Sequence, residues 1–197
     1  MEAQTLSQFR RKLRSLPRDQ KIQLAIHVSE YRRRKSDPLK AYREKYCRSP
    51  LQWVRDFVDV RLARYQERIF GAIEAGARKV AIRGPHGIGK SCIAALIVLW
   101  AVSTSYDCKV ITTASVWRQL IKFLWPEIHK WNARVNWPKV GSAPELLKME
   151  ISFGPQASGF ASASDRPETM EGAHAERVVY IFDEAKIIGP DTWQATE

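Results

Sequence analysis

One stretch limits the folds open to this 197-residue chain more than any other: Lys79-Val-Ala-Ile-Arg-Gly-Pro-His-Gly-Ile-Gly-Lys-Ser91. The apolar, strand-favouring Val80, Ala81 and Ile82 predict a short strand, and the apolar residues 92–102 predict a buried helix. Between them Gly84, Pro85, His86, Gly87, Ile88, Gly89, Lys90 and Ser91 fit G-x-x-x-x-G-K-[ST], the pattern of a phosphate-binding loop. Glycine lets successive backbone N–H groups turn toward one anion. The helix start at Gly89 and Lys90 adds unpaired N–H groups and a positive dipole end. Lys90 supplies a full charge for the β- and γ-phosphates of a nucleotide, and the Ser91 hydroxyl can ligate Mg²⁺.

A second stretch complements the first. Arg177-Val-Val-Tyr-Ile-Phe-Asp-Glu184 predicts a parallel strand covered on both faces, ending in two acids. Carboxylates are costly to bury without a partner, and the C-terminal tip of such a strand is where open α/β sheets bind ligands. Asp183 fits an acid that holds Mg²⁺, and Glu184 fits a general base for an attacking water.

The net charge is +11, and it is uneven. Residues 1–50 carry 14 Lys/Arg against 5 Asp/Glu, whereas the rest carries 18 against 16. A basic N-terminal region points to a polyanion, most simply nucleic acid. Cys47, Cys92 and Cys108 lack metal-ligand spacing and cannot all pair, which favours a reducing compartment and no zinc site. No secretory leader is visible, and residues 92–102 are too few to cross a bilayer.

Taken in order, residues 1–50 predict a basic helical arm. Leu6, Phe9, Leu13 and Leu16 share a helix face that Pro17 ends, and a second helix runs into Arg32-Arg33-Arg34-Lys35. Trp53, Phe57 and Val60 line a further helix, and Gln66 lies on one that stops near Gly76. Gln66 offers both a donor and an acceptor to an adenine edge. Lys109-Val-Ile-Thr-Thr113 predicts a strand. Ser115 is placed to cap a helix through Trp117, Leu120, Ile121 and Leu124, with a kink or restart at Pro126. Two strands are predicted around Gly154 and Pro155, then a polar turn over residues 162–167 and a short helix or mobile loop over 168–174.

Together these residues resemble the ATPase domain of the large subunit of tailed-bacteriophage terminases, the DNA-packaging motors. The resemblance rests on four stretches in the family's order. They are Ala63-Arg-Tyr-Gln-Glu-Arg-Ile-Phe70, the Val80 to Ser91 loop, Ile111-Thr-Thr-Ala-Ser-Val-Trp-Arg-Gln-Leu120 with Leu124-Trp-Pro-Glu-Ile128, and Glu171-Gly-Ala-His-Ala-Glu-Arg-Val-Val-Tyr-Ile-Phe-Asp-Glu-Ala-Lys186. It implies an α/β P-loop NTPase (RecA-like) three-layer sandwich with a mostly parallel sheet over residues 51–197, preceded by the helical basic region 1–50. It also implies ATP and Mg²⁺ as ligands. Gln66 would contact adenine, Lys90 and Ser91 the phosphates and metal, Asp183 the metal, and Glu184 the water. Arg83 would lend positive charge to the transition state, and Arg118 and Gln119 would sense phosphate or touch DNA. Implied partners are double-stranded DNA, the small terminase subunit, the portal or procapsid and further copies of the chain, all in the host cytoplasm and with no membrane.

The resemblance also has gaps. The family's coupling motif and nuclease domain have no counterpart here. In related ATPases the strand after the acidic one inserts between it and the loop's strand, so residues 1–197 are expected to lack a central strand and to expose two apolar edges. On that ground the chain is expected to be an N-terminal fragment or truncated product. Two other functions fit the same residues: a helicase-like ATPase, and a remnant that binds nucleotide or DNA without turnover.

Overall fold

The computed structural model describes residues 15–163 and 174–194. Leu6, Phe9 and Leu13 of the first expected helix, the polar turn beyond Ala163 and residues 168–173 lie outside them. The chain divides into two compact units, Met1–Lys40 and Ala41–Glu197.

In the first unit the main element is α1 (Arg18–Ser36), which starts directly after Pro17. Its Ile22, Ile26, Val28 and Tyr31 are exposed and are spread around the helix rather than gathered on one face. The Ser36-Asp37-Pro38 break is closed locally, with the Asp37 carboxylate accepting the Leu39 N–H at 3.0 Å.

The second unit opens with α2 (Lys40–Tyr46), α3 (Pro50–Phe57) and α4 (Arg64–Glu74), followed by α5 (Lys90–Thr104). Helix α5 is apolar on every side and is buried accordingly, with Ile93, Leu96, Val98 and Leu99 wholly enclosed. Strand β1 (Cys108–Ala114) follows, buried at all positions but Lys109. Next come a short helix α6 (Trp117–Gln119), a π-helical turn (Leu120–Leu124), α7 (Trp125–Asn132) and α8 (Trp137–Val140). The C-terminal part holds β2 (Glu145–Leu146), β3 (Glu150–Ser152), β4 (Ala157–Ala161), β5 (Arg177–Asp183), a 3-10 turn (Ala185–Ile187) and α9 (Pro190–Gln194).

The residues of α2, which the sequence reading gave to the basic arm, are tied into this unit. The Arg43 guanidinium bonds the Ser105 carbonyl and lies over the Tyr106 ring, and the Trp100 indole N–H donates to the Tyr46 carbonyl at 2.8 Å. The Trp53 indole donates to the Tyr42 hydroxyl, which donates in turn to Ser103 on α5.

The strands form one sheet in the order β2-β3-β4-β1-β5. Strand β1 pairs in parallel with β4 and β5, whereas β2–β3 and β3–β4 are antiparallel. This mixed sheet is not the mostly parallel, RecA-like three-layer sandwich expected from the sequence. Two local causes account for the difference. The link between β3 and β4 is a short turn, with Gly154 in the left-handed region at φ 80°, and so short a connection can join only antiparallel neighbours. Residues 79–83, expected as a strand leading into the loop, form no strand, and Val80 is 41% exposed. Strand propensity is realised only against a neighbouring edge, and here β5 is the terminal strand of the sheet. That position also leaves β5 half-buried along its whole length, not covered on both faces as its apolar run suggests.

Strand β5 is anchored at its start. The Arg177 guanidinium donates to the Cys47 carbonyl at 2.7 Å and to the Ser105 hydroxyl at 3.1 Å, and lies 5.0 Å over the Trp100 ring. Charge-assisted hydrogen bonds of this kind contribute about 1.5–3 kcal/mol. Arg177→Ala is therefore expected to lower unfolding free energy by about 2 kcal/mol in a urea titration, with Arg177→Lys recovering only part because it cannot fork between two acceptors.

Candidate nucleotide site

The loop is shaped by its glycines and by what packs behind them. Gly87 and Gly89 have φ of 81° and 85°, which residues with a Cβ rarely adopt. A Cβ on Gly89 would also lie 2.8 Å from the Gln66 side-chain nitrogen, so that amide would have to shift to admit any other residue. Gly89 occupies the N-cap of α5 and no side chain caps the helix, leaving its first N–H groups directed toward the loop.

Gln66 is only 8% exposed. Its carbonyl Oε1 accepts the Ala63 N–H at 2.9 Å, closing the first turn of α4. Its Nε2 is the end that faces Gly89. Of the donor and acceptor expected to meet adenine, the acceptor is thus engaged by the backbone, while the donor lies against Gly89.

Lys90 turns back into the loop, donating from Nζ to the carbonyls of Gly84 and Pro85, each at 2.8 Å. Ser91 follows in the first turn of α5, half-buried. Pro85, His86 and Gly87 are exposed along the loop, and Ile88 folds beneath it against Gly84.

The acidic half is delivered by the sheet. Register pairs Asp183 with Ala114, carrying the acid to the C-terminal end of the two parallel strands. Burial raises the Asp183 pKa above the ordinary carboxylate range, and the adjacent Glu184 charge adds to the rise. The Glu184 backbone hydrogen bond and the Lys90 ammonium pull it the other way. Lys90 lies 93 positions away in the chain, and its effect on Asp183 is smaller than that of burial. Glu184 is the one non-glycine at positive φ among the described residues, at 51°. This left-handed conformation costs roughly 1–2 kcal/mol and turns the chain sharply away from β5 at its acidic tip.

The structure sets Gln66 against Gly89, Lys90 and Ser91 in the first turn of α5, and Asp183 with Glu184 at the tip of β5, where the Lys90 charge acts on Asp183. It does not join Arg83 to them: that side chain is exposed and makes no ion pair with them among the described residues. No group of three or more His, Cys, Asp or Glu that could hold a metal occurs among the described residues. Ser91 and Asp183 are instead oxygen donors of the sort that hold Mg²⁺ jointly with phosphate oxygens and water. Burial pushes the Cys92 and Cys108 thiols up to about 11, which keeps both protonated and unreactive.

Beyond β1 one expectation changes. Val116, not Ser115, is the N-cap of α6, and the Ser115 hydroxyl bonds the Gln119 side chain at 3.3 Å. Trp117 opens that helix and is 44% exposed. The restart at Pro126 is present. The Trp125 N–H reaches back five residues to the Leu120 carbonyl, and the widened turn lets Pro126 sit in the first turn of α7. Phe123, 60% exposed, was not anticipated, because an aromatic in an apolar run reads as core. Among the described residues no helix is long and apolar enough to cross a membrane. No protein-family model matches this chain, and no curated protein matches it.

Proposed function

We propose that the chain binds ATP at the glycine loop and hydrolyses it, serving double-stranded DNA movement as a terminase large-subunit ATPase does. What supports this reading is the glycine loop opening α5, with Lys90 in its first turn, together with an acid, Asp183, at the C-terminal end of β5 that is near enough to be affected by the Lys90 charge. Lys90 exchanges the Gly84 and Pro85 carbonyls for phosphate oxygens. Ser91 and Asp183 would hold Mg²⁺, which would supply positive charge to the phosphate oxygens. Glu184 takes the proton from the attacking water. The basic N-terminal unit supplies charge for DNA or for a packaging partner in the host cytoplasm.

A second reading, nucleotide binding without turnover, is favoured by residues 79–83, which give the loop no strand to stand on. One measurement separates them. Purified protein with Mg-ATP is expected to release phosphate well above a Lys90→Ala control. Equal release from both proteins, with ATP still bound by the unaltered chain, would establish the second reading.

A further inference from the structure

Residues 115–124 carry an unusual surface. Val116, Trp117 and Phe123 are 54%, 44% and 60% exposed, although each is a residue type that folding ordinarily removes from water. Arg118 and Lys122 are exposed between them, and the segment contains no acid. The nearest acid along the chain, Glu127, is engaged by Lys130 and by the Trp131 indole. Leu120 and Leu124 are fully buried and fix the turn's orientation. Helical spacing then sets Arg118 and Lys122, four apart, on the outward ridge, with Trp117 on one flank and Phe123 on the other.

The helix is irregular here as well. The turn over Leu120–Leu124 is π-helical, a rare geometry that is common at functional sites. The segment leaves directly from the end of β1, where Ala114 stands in register with Asp183. Any movement of the acidic tip is one residue-pair away from it.

A basic ridge flanked by solvent-facing aromatic rings suits a ligand that is anionic and has flat π-faces to offer. Double-stranded DNA presents phosphate but keeps its bases stacked; an unpaired strand presents both. We propose that Trp117, Arg118, Lys122 and Phe123 form a docking surface for a single-stranded stretch of DNA, with bases stacked on the two rings and phosphates on the two cations. The choice of DNA rests on the function proposed above, which this surface narrows: the chain grips DNA where its bases are locally unstacked.

The test is fluorescence anisotropy of a labelled 20-nucleotide oligothymidylate with the full chain and no ATP, so that the result is independent of hydrolysis. Trp117→Ala and Phe123→Ala are each expected to weaken binding by about 5- to 100-fold, with Trp117→Tyr largely restoring it. Arg118→Ala with Lys122→Ala is expected to flatten the slope of log affinity against log salt by about 1.4, the contribution of two phosphate contacts on a single strand. All four side chains are exposed, and unchanged circular dichroism and melting serve as the folding control. Unaltered oligothymidylate binding in both aromatic variants would overturn the proposal. So would a duplex, or polyglutamate at equal charge, competing as well as the single strand. Aromatic-dependent binding in a protein that releases no phosphate supports the surface and removes only the hydrolytic reading.

Discussion

Glu184→Gln is expected to lower phosphate release by about 10²- to 10⁴-fold while leaving ATP affinity nearly unchanged. That range is the usual contribution of a positioned general base, and the amide keeps the shape while losing basicity. The two readouts must be taken together. A fall in turnover with intact binding locates the defect after the nucleotide has docked, as the role of Glu184 requires. A parallel loss of ATP binding would instead mean that the left-handed turn at φ 51° had been disturbed, and a turnover equal to the unaltered chain would remove Glu184 from the chemistry. A Glu184→Gly companion separates the effects, since glycine keeps the backbone conformation at no steric cost but has no carboxylate.

Asp183→Asn should separate stability from activity more sharply. The folded-state pKa of Asp183 is raised, chiefly by burial and next by Glu184. The folded chain therefore holds this proton more tightly than the unfolded chain does. Its stabilising contribution is complete below the ordinary aspartate pKa and disappears as pH rises through the raised value. At neutral pH the buried charge is a net cost. Without ligand, Asp183→Asn is expected to melt above the unaltered chain at pH 7, and the gap should close as pH falls below about 4. Phosphate release should nevertheless drop by about 10²-fold or more, because the asparagine cannot carry the charge that Mg²⁺ needs. A variant that melts lower at pH 7, or one that keeps its Mg²⁺-dependent activity, would contradict the role given to this acid.

These residues also show what the sequence could convey. Lys90, Ser91 and the two acids were legible because their chemistry depends on local order: a glycine loop opening a helix, and a strand ending in carboxylates. Helix α5 was legible because its apolar residues leave no polar face. The lead-in at Val80, Ala81 and Ile82 was not, because a strand is a relation between segments and this segment has no neighbouring edge in the sheet. The reversed direction of β3 was hidden in a turn length, and the terminal position of β5 in the absence of a sixth strand among the described residues. Gln66 shows a subtler limit. Composition revealed its capacity to donate and accept, but only folding revealed that Ala63 takes the acceptor and Gly89 faces the donor.

The grip of Lys90 on the Gly84 and Pro85 carbonyls has a consequence for ligand choice. The resting loop satisfies its own cation, so an incoming anion competes with two oxygen atoms already within the molecule. Affinity is reduced by the fraction of molecules in which the ammonium is released, a toll that falls equally on every phosphate species. A monophosphate must overcome that toll with one cluster of contacts. In the proposed site a triphosphate would meet it with the loop amides, the ammonium and the Ser91 and Asp183 oxygens together. If the loop binds phosphate as proposed, the closed lysine lowers the affinity of every such ligand by the same factor, so at a given concentration only one with enough further contacts occupies the site.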